Sequence, residues 1–357
     1  MVSVIILAGG YATRLRPLSL TKPKALLPIL GRPLLDYILD EVERLEPKGV
    51  FLSLRVMANK IVSHVTMEKR NVIAVIEKER LGDAGPLKLI FENYKLNDVT
   101  LVLNGDVYFE TDLREVVKFH ESEGCDATVV GKEVEDPRRF GVLVTDGIYL
   151  KDIFEKPKIP PGNIVNTGIY VFKSALFKEV NGQSIARNFL PHLLKTNRRI
   201  CVYRYNGIWA DIGKPEDYLE LNFRLLVEKH PKGFVSENSR VSERASLTPP
   251  YFVGERTEVR EDSEVFNSVI GAGCYLGEGS RVQDSLLMNG VKVGKYSLIN
   301  FSILGDNVSV GKRARLESSI LGDEVEVYDN VLLNEGTIVL PNKEISESVY
   351  DRHKIIL

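Results

Sequence analysis

Residues 4–28 read VIILAGGYATRLRPLSLTKPKALLP, and this stretch decides how the amino-terminal half is interpreted. The apolar run Val4–Leu7 predicts a buried strand, and the pair Gly9–Gly10 predicts the turn that ends it. A cluster of basic residues then follows: Arg14, Arg16, Lys22 and Lys24. A glycine turn lets backbone N–H groups approach an anion, and basic side chains add charge-assisted hydrogen bonds. The stretch therefore predicts a phosphate site, although a tight turn before a solvated basic helix is an equally good interpretation of these residues alone.

The composition excludes several classes of protein. The chain has 357 residues, is 44% hydrophobic and 27% charged, and carries a formal net charge of -2. This balance predicts a soluble globular protein with room for two domains, and no global attraction to nucleic acid or to a membrane. The amino-terminal run lacks a basic region before it and is too short to span a bilayer, so we expect a cytoplasmic protein. The three cysteines are few and widely spaced, which argues against a disulfide framework and against a zinc cluster. We therefore expect a reducing compartment.

Strand-like and helix-like segments alternate over residues 1–230. This order predicts an α/β, Rossmann-like domain with a mixed, mostly parallel sheet. Ligands of such sheets bind beyond the carboxyl ends of the strands. The motifs LAGG (7–10), NGDV (104–107) and WADIG (209–213) all follow predicted strands. We therefore expect them at one site.

The rhythm changes over residues 231–357, where apolar residues recur six positions apart. The trio Val253, Val259 and Val265 returns 17 residues later as Ile270, Leu276 and Val282, and continues in the same step to Leu333. Glycines often follow the apolar position. This is the hexapeptide pattern of a left-handed parallel β-helix, in which each coil has three short strands with one inward residue each. We expect the β-helix to support the first domain or to assemble subunits, which predicts a homo-oligomer.

The motifs as a set resemble those of the sugar-1-phosphate nucleotidylyltransferases. LAGGYATRLRP and PKALLP match the family signature, and LGDAGPL, NGDV, FGVLV, EKP, VNTGIYVF and WADIG follow in the family's order. The carboxyl end, with VLPNKEISESV and KIIL, resembles the members that make GDP-mannose. The resemblance implies that a sugar 1-phosphate attacks the α-phosphorus of a nucleoside triphosphate and releases pyrophosphate, most simply mannose 1-phosphate and GTP. It favours guanylyl transfer over the uridylyl or thymidylyl transfer of other members.

The resemblance also assigns roles to particular residues. It implies that Leu7, Ala8, Gly9 and Gly10 approach the nucleotide, that Arg14 and Lys24 contact its phosphates, and that Asp106 and Asp211 hold Mg²⁺. For the sugar phosphate it implies Gly141, Glu155, Lys156 and Asn166. It places Gly82 at the nucleotide base. Glu77 then falls where a carboxylate could accept hydrogen bonds from two guanine donors, with Glu79 as the competing residue.

The chain departs from the family pattern at three positions. Ala12 stands where the family has glycine, which argues against a positive φ at that position. Asp83 replaces a threonine and Arg80 a common proline, so the base loop is expected to differ in shape. A negative charge at Asp83 would disfavour a triphosphate unless Arg80 or a metal offsets it.

Other functions remain open on the sequence alone. Many hexapeptide β-helices are acyltransferases with a histidine base, but no histidine lies between His230 and His353, so we expect no acetyl transfer. A second alternative is the same reaction with glucose 1-phosphate and UTP or dTTP. A third is a noncatalytic regulatory subunit of the same fold that senses nucleotide sugars.

Overall fold

A computed structural model describes residues Val2–Leu357. The chain forms two compact units, and neither is continuous in sequence. The first contains the residues up to Gly10 together with Leu34–Asp211. The second contains Tyr11–Pro33 together with Ile212–Leu357. The basic signature segment Tyr11–Pro33 is therefore grouped with the carboxyl-terminal half, which no single cut near residue 230 would produce.

The first unit is built on a nine-stranded sheet and a two-stranded ribbon. In chain order the strands are β1 (Ser3–Leu7), β2 (Gly49–Leu54), β3 (Ile73–Ile76), β4 (Val99–Asn104), β5 (Val107–Phe109), β6 (Ala127–Glu133), β7 (Gly141–Asp146), β8 (Tyr149–Glu155), β9 (Ile164–Lys173), β10 (Ile200–Arg204) and β11 (Trp209–Asp211). The order across the sheet is β3-β2-β1-β4-β9-β6-β10-β8-β7, and β5 pairs with β11 in the ribbon.

The sheet is mixed, as predicted, but it is not mostly parallel, because four of its eight neighbouring pairs are antiparallel. Strand β1 pairs in parallel with β2 and β4, and β2 pairs in parallel with β3. Strands β6 and β10 are also parallel, whereas β9 runs antiparallel to β4 and β6. Strands β7 and β8 form an antiparallel hairpin because the Asp146–Gly147 turn, with Gly147 at φ 58°, joins them directly. Parallel pairing needs a long crossover, and this part of the chain has none.

Helices cover the sheet. They are α1 (Leu34–Arg44), α2 (Ala58–Met67), α3 (Gly85–Asn93), α4 (Leu113–Ser122) and α5 (Leu190–Lys195). In α1 the buried residues Leu35, Ile38, Leu39 and Val42 recur at helical spacing and form one apolar face. Val4, Ile5 and Ile6 of β1 are all completely buried, so both faces of this strand are covered, as expected for a central parallel strand.

Two cysteines form a disulfide, so the prediction of no disulfide is wrong. Cys125 lies just before β6, and Cys201 lies in β10. The parallel register pairs Ala127 with Ile200, and this brings the two sulfurs together across 76 residues of sequence. Wide spacing along the chain does not exclude a disulfide when strand pairing joins its two ends. Cys274 in the second unit is free and buried, and burial raises the pKa of its thiol to about 12.

The second unit contains helix α6 (Pro215–Lys229) and the coils of a parallel β structure. One face of the coils is a seven-stranded sheet, with strands Arg240–Val241, Glu258–Val259, Tyr275–Leu276, Lys292–Val293, Ser309–Val310, Glu326–Val327 and Glu344–Ile345. The other strands form one sheet that bends around two faces: Phe234–Val235, Ser246–Val253, Glu264–Ile270, Arg281–Gln283, Leu286–Leu287, Leu298–Asn300, Ile303–Leu304, Arg315–Glu317, Ile320–Leu321, Leu332–Leu333, Ile338–Val339 and Ile355–Ile356.

The 17-residue step seen in the sequence is the coil-to-coil register. Val259 pairs with Leu276, which pairs with Val293, and Val293 pairs with Val310. The step lengthens to 18 residues after Val327, which pairs with Ile345. The predicted inward residues form the core of the coils, and each is at most 3% exposed: Val253, Val259, Val265, Ile270, Leu276, Val282, Leu287, Val293, Ile299, Leu304, Val310, Leu316, Leu321, Val327 and Leu333.

A ladder of buried serines closes one corner of the coils. The hydroxyls of Ser268, Ser285 and Ser302 accept from the backbone N–H groups of Ser285, Ser302 and Ser319, at 3.2, 3.0 and 3.0 Å. These bonds satisfy backbone donors at the turn between two strands, where no sheet partner is available. Among the described residues, no helix has both the length and the apolar composition that crossing a membrane requires.

Candidate active site

Two aspartates of the first unit are brought together by the ribbon of β5 and β11. Its antiparallel register pairs Trp209 with Phe109 and Asp211 with Val107. Asp106 is the residue before Val107, so the two carboxylate-bearing residues lie at the same end of the ribbon although 105 positions separate them in sequence. Both are partly buried. The fold therefore brings Asp106 and Asp211 together at one end of the ribbon.

The glycine turn after β1 lies against the loop that carries Asp106. The backbone N–H of Gly105 donates to the carbonyl of Leu7 at 2.8 Å, and a Cβ added to Gly105 would be 2.9 Å from the Cβ of Ala8. Glycine at position 105 thus allows the two loops to pack closely. The carboxylate loop and the start of the LAGG turn are consequently held together at the carboxyl ends of β1 and β4, the position where open α/β sheets bind ligands.

Glu77 lies beside the same turn. Its Oε1 accepts from the Ser53 hydroxyl at 2.6 Å, its backbone N–H donates to Leu54, and its side chain is 7% exposed. A Cβ added at Gly9 would lie 3.1 Å from this oxygen, so glycine gives the carboxylate room. Glu79 is exposed, in contrast. Of the two candidates for recognition of the base, Glu77 is the one fixed against the LAGG turn.

The loop that contains Gly82 and Asp83 packs on residues 183–185. Gly82 has φ 75°, and a Cβ there would lie 1.9 Å from the Gln183 carbonyl oxygen, so only glycine fits. The Asp83 carboxylate accepts from the backbone N–H of Ile185 at 3.0 Å, and burial raises its pKa. The sequence predicted that a negative charge at Asp83 would disfavour a triphosphate. In the structure, this carboxylate instead serves as a hydrogen-bond acceptor for a neighbouring loop.

The four residues expected to bind the sugar phosphate meet at the ends of β7, β8 and β9. Gly141 pairs with Glu155, and a Cβ at Gly141 would lie 2.8 Å from Oε2 of Glu155 and 3.7 Å from the Cβ of Asn166. The space that a side chain at position 141 would need therefore contains the Glu155 carboxylate.

Asn166 and Lys156 are fixed by further contacts. The Asn166 amide nitrogen donates to the Tyr170 hydroxyl at 2.7 Å, and its oxygen accepts from the Gly168 N–H at 3.1 Å. Lys156 has φ 51°, a conformation that costs free energy for a residue with a side chain. Its N–H donates to Phe140, and its ammonium lies 3.8 Å from Glu155.

Arg187 had no recognisable signal in the sequence, whereas Tyr170 and Trp209 lie inside the motifs VNTGIYVF and WADIG. Arg187 Nη2 lies 4.0 Å from Oε1 of Glu155, although Arg187 belongs to the separate helical turn Ile185–Phe189. Tyr170 is buried, and desolvation raises the pKa of its hydroxyl so that it stays protonated. Trp209 is core packing: its Nε1 donates to the Thr167 carbonyl at 2.9 Å, and its ring contacts Phe140. Only the tertiary fold brings Arg187 to the predicted motifs.

Arg14 and Lys24 belong to the second unit, within the signature segment. Arg14 is exposed in the 3-10 turn Thr13–Leu15, and Lys24 opens the turn Lys24–Leu26 with 8% of its surface exposed. The turn at Arg14 begins after Ala12, which has φ 46° and ψ 44°. The expectation that alanine argues against a positive φ at position 12 is wrong. The Ala12 carbonyl accepts from the Ser19 hydroxyl at 2.7 Å, which helps to hold this strained turn.

Comparisons with known proteins identify the family of the chain. The family model of the nucleotidyl transferases matches residues 3–228, and the model described as GMPPB C-terminal domain matches residues 232–356. The chain is 57% identical, over the whole length of both chains, to a Sulfolobus acidocaldarius protein named "Putative mannose-1-phosphate guanyltransferase". It is 35% identical to mannose-1-phosphate guanyltransferase 2 of Candida glabrata, over 69% of this chain and 71% of the other.

A solved structure shares the fold of the amino-terminal part. The crystal structure of HddC from Yersinia pseudotuberculosis, complexed with GMP-PN, aligns with a TM-score of 0.54 and 31% identity. It covers 63% of this chain and all of that chain. The resemblance inferred from the motifs is confirmed, and the chain belongs to the nucleotidyl transferase family.

Proposed function

We propose that the protein transfers a guanylyl group from GTP to mannose 1-phosphate and so produces GDP-mannose and pyrophosphate. The observation that carries the proposal is the pairing of β5 with β11, which brings Asp211 beside Asp106 next to the turn after β1. The names of the relatives support guanine and mannose as the base and the sugar.

The proposed reaction is a displacement at phosphorus. A phosphate oxygen of the sugar 1-phosphate forms a bond to the α-phosphorus of the triphosphate, and the bond to the oxygen that bridges the α- and β-phosphates breaks. The second pKa of a sugar phosphate is about 6, so the nucleophile is already an anion at neutral pH and needs no general base. The protein must instead align two anions and neutralise the charge that develops between them.

Asp106 and Asp211 fit a magnesium ion. Mg²⁺ prefers oxygen ligands and is usually held by one or two carboxylates together with substrate phosphates and water. Among residues 2–357, no group of three or more His, Cys, Asp or Glu side chains is arranged for a metal. A pair of carboxylates that relies on the substrate for the other ligands matches the preference of Mg²⁺. When bound, the ion would neutralise charge on the α-phosphate.

The other residues receive roles by the chemistry of their groups. We assign Arg14 to the β- and γ-phosphates and Lys24 to the phosphates that flank the reacting centre, with the N–H groups of Gly9 and Gly10 along the nucleotide. The Ala8 N–H donates to the Ser53 carbonyl at 2.9 Å instead. Glu155 would accept hydrogen bonds from sugar hydroxyls, Asn166 would contact the sugar, and Lys156 would meet the sugar phosphate. These three lie close together in the first unit, with Gly141.

Glu77 is assigned to the base. Guanine presents two adjacent donors, the N1–H and the N2 amino group, and a carboxylate can accept from both. Uracil and thymine present one ring donor. Glu77 is buried and held by Ser53, so its carboxylate is oriented before the nucleotide arrives. This is the residue that favours GTP over UTP or dTTP.

Further properties are proposed with the function. The three short strands of each coil and the six-residue spacing of inward residues support a left-handed winding of hexapeptide repeats. Exposed coil surfaces favour a homo-oligomer. We propose a cytoplasmic location, which requires that the Cys125–Cys201 disulfide persist inside the cell, as disulfides do in intracellular proteins of hyperthermophiles. The near absence of glutamine is in keeping with heat adaptation.

The test is a grid of four nucleoside triphosphates against several sugar 1-phosphates with Mg²⁺, scored by released pyrophosphate. We expect the highest kcat/KM for GTP with mannose 1-phosphate. Release with UTP or dTTP and glucose 1-phosphate instead would replace the proposed substrates. Tight binding of GTP by calorimetry without release from any pair would identify a noncatalytic sensor.

A second test concerns the carboxylates. We expect Asp106→Asn and Asp211→Asn each to lower kcat by about a thousandfold, because each removes a charged ligand of the ion without changing side-chain shape. Circular dichroism checks that the fold is intact. Asp146→Asn is the matched control, since Asp146 is exposed and pairs only loosely with Lys151 at 3.6 Å. Near-normal turnover in both variants would contradict the metal assignment.

A further inference from the structure

The signature segment is anchored to the coils of the second unit by two polar contacts. The Lys22 ammonium forms a salt bridge with Asp306 and lies 3.9 Å from the Met288 sulfur. The hydroxyl of its neighbour Thr21 donates to Oδ2 of Asp323 at 2.7 Å. Lys22 and Asp306 have only 15% and 24% of their side-chain surface exposed. A pair this sheltered is screened less by salt than an exposed one.

Both aspartates also belong to a ladder that runs from coil to coil. Oδ1 of Asp306 accepts from the backbone N–H of Asn289 at 3.0 Å, and Oδ1 of Asp323 accepts from the N–H of Asp306 at 2.8 Å. Each carboxylate therefore uses one oxygen to brace the previous coil. The other oxygen faces the signature segment: Oδ2 of Asp306 pairs with Lys22, and Oδ2 of Asp323 accepts from Thr21.

The ladder itself does not require a negative charge. One coil earlier the same role is performed by Asn289, whose amide oxygen accepts from the N–H of Ala272 at 2.9 Å. The uncharged residue thus makes the same bond with the same geometry. The carboxylates occur in the two coils that contact residues 21 and 22. A neutral side chain can therefore brace the coil, and the negative charge of Asp306 is what pairs with Lys22.

A second set of contacts fixes the far end of the segment. The Tyr218 hydroxyl of α6 donates to the Pro28 carbonyl at 2.5 Å, and Oδ1 of Asn222 accepts from the Leu30 N–H at 2.9 Å. Tyr218 and Asn222 are completely buried. Lys24 lies between the two anchors and is joined to Lys22 by Pro23, whose ring restricts the backbone. Residues 21–30 are held at both ends, so the position of Lys24 depends on both.

We propose that Lys22, Thr21, Asp306 and Asp323 are positioning residues for nucleotidyl transfer: the carboxylates of the coils fix the segment that presents Lys24 to the phosphates. This inference rests on the proposed function for the role of Lys24. It gives the coils a part in the reaction through the substrate-binding segment. It also separates Lys22 from the phosphate-binding residues, although it lies in the same basic cluster.

The test uses Asp306→Asn, which can keep the ladder bond because Asn289 makes the same bond, but lacks the charge opposite Lys22. The matched control is Asp329→Asn, since Oδ1 of Asp329 also accepts from a backbone N–H, that of Lys312, at 2.6 Å. We expect Asp306→Asn to raise hydrogen exchange in residues 11–33 and to lower kcat/KM for GTP by about tenfold, mainly through KM. Asp329→Asn should change neither.

Two further variants guard against a loss of folding. Lys22→Met leaves the coils untouched and should reproduce both effects of Asp306→Asn. The conservative variant Lys22→Arg keeps a cation opposite Asp306 and leaves the ladder bond in place, so it should retain most of the protection and of kcat/KM. Wild-type exchange in residues 11–33 for both Lys22→Met and Asp306→Asn would overturn the anchor. Raised exchange with unchanged kinetic constants would overturn the positioning role.

The two readouts also distinguish this inference from the proposed function. If the wild-type protein transfers no nucleotide in the substrate grid, the proposed function fails, and the positioning role fails with it. Hydrogen exchange would still decide whether the carboxylates hold the segment.

Discussion

At the scale of single residues, the base-recognition role proposed for Glu77 depends on the burial of its carboxylate. Glu77 and Glu79 have the same chemistry and are two positions apart, but only Glu77 is buried and bonded to Ser53. A buried group that is oriented in advance loses little entropy when its ligand binds. A site built around such a group rejects a ligand that leaves it unpaired.

We therefore expect Glu77→Gln to lower kcat/KM for GTP by about a hundredfold. The ratio of kcat/KM for GTP to kcat/KM for UTP should fall as well. A glutamine presents one acceptor and one donor group, so it cannot accept from both guanine donors, and its NH₂ would oppose one of them. Steady-state kinetics with both nucleotides measures the ratio. Glu79→Gln is the control and should leave it unchanged. An unaltered preference in Glu77→Gln would assign base recognition to another residue.

Ala12 adopts a backbone conformation that is unusual for alanine. Its φ of 46° lies in the left-handed region, where a residue with a Cβ costs roughly 1 kcal/mol more than glycine. The Ser19 bond and the buried side chains of Leu15 and Leu18 hold the turn in spite of this cost. The sequence argument was physically sound about preference, but tertiary contacts decided the conformation.

Replacing Ala12 by glycine should therefore stabilise the protein by up to about 1 kcal/mol, because it relieves the left-handed strain. Thermal unfolding should show a Tm higher by roughly 2–4 °C. The control is Ala25→Gly in the turn Lys24–Leu26, where no positive φ is required and glycine should lower the Tm. A decrease in Tm for both variants would show that position 12 is not strained in solution.

At the scale of elements, local patterns were predictable and long-range partners were not. The 17-residue period predicted the register of the coils, and alternating apolar segments predicted the strands around LAGG and NGDV, because both signals repeat along the chain. By contrast, Arg187 beside Glu155, Asp83 beneath Ile185 and the Cys125–Cys201 bond each join segments that no local pattern connects.

The contact of α4 with the sheet has a consequence for pH dependence. His120 is 2% exposed, and its Nδ1 lies 2.9 Å from the Thr128 hydroxyl of β6. Burial, together with the nearby charge of Lys173, lowers the pKa of His120 to about 4 from an ordinary value of 6.5. Below pH 6.5 the unfolded chain therefore binds a proton at this position that the folded chain does not, until the pH approaches 4.

We accordingly expect the stability associated with His120 to be complete above pH 6.5 and to be lost as the pH falls towards 4. His120→Gln can keep a hydrogen bond to Thr128 but does not titrate. Between pH 6.5 and 4, the Tm of the wild-type protein should fall more steeply than that of the variant. Parallel curves over this range, measured by scanning calorimetry, would contradict a depressed pKa at His120.

At the scale of the whole molecule, neither compact unit is a continuous segment of the chain. The chain leaves the first unit after Gly10 and returns to it at Leu34. Between these points, the signature segment is held by contacts with α6 and with the coils. Arg14 and Lys24 therefore belong to a different compact unit from Asp106 and Asp211. Truncating the chain near residue 230 would remove Asp306 and Asp323 and leave the segment without one of its two anchors.

The Cys125–Cys201 disulfide constrains the first unit over a large loop. It closes 76 residues, and in the chain-entropy account a loop of this length stabilises the folded state by about 4 kcal/mol. Reduction should therefore lower the Tm of the wild-type protein by roughly 10 °C. Thiol titration of the unfolded protein should find one reactive cysteine before reduction, Cys274, and three after it.

Serine variants locate the effect of the reductant. The Tm of the double variant Cys125→Ser with Cys201→Ser should be low and insensitive to reductant, because no bond remains to be broken. Cys274→Ser should keep the full sensitivity, whatever its own effect on the Tm, since Cys274 is not part of the bond. Three reactive thiols before reduction, together with a Tm that reductant does not change, would show that the strands hold the two sulfurs close without joining them. The stability of the first unit would then depend on its sheet and core alone.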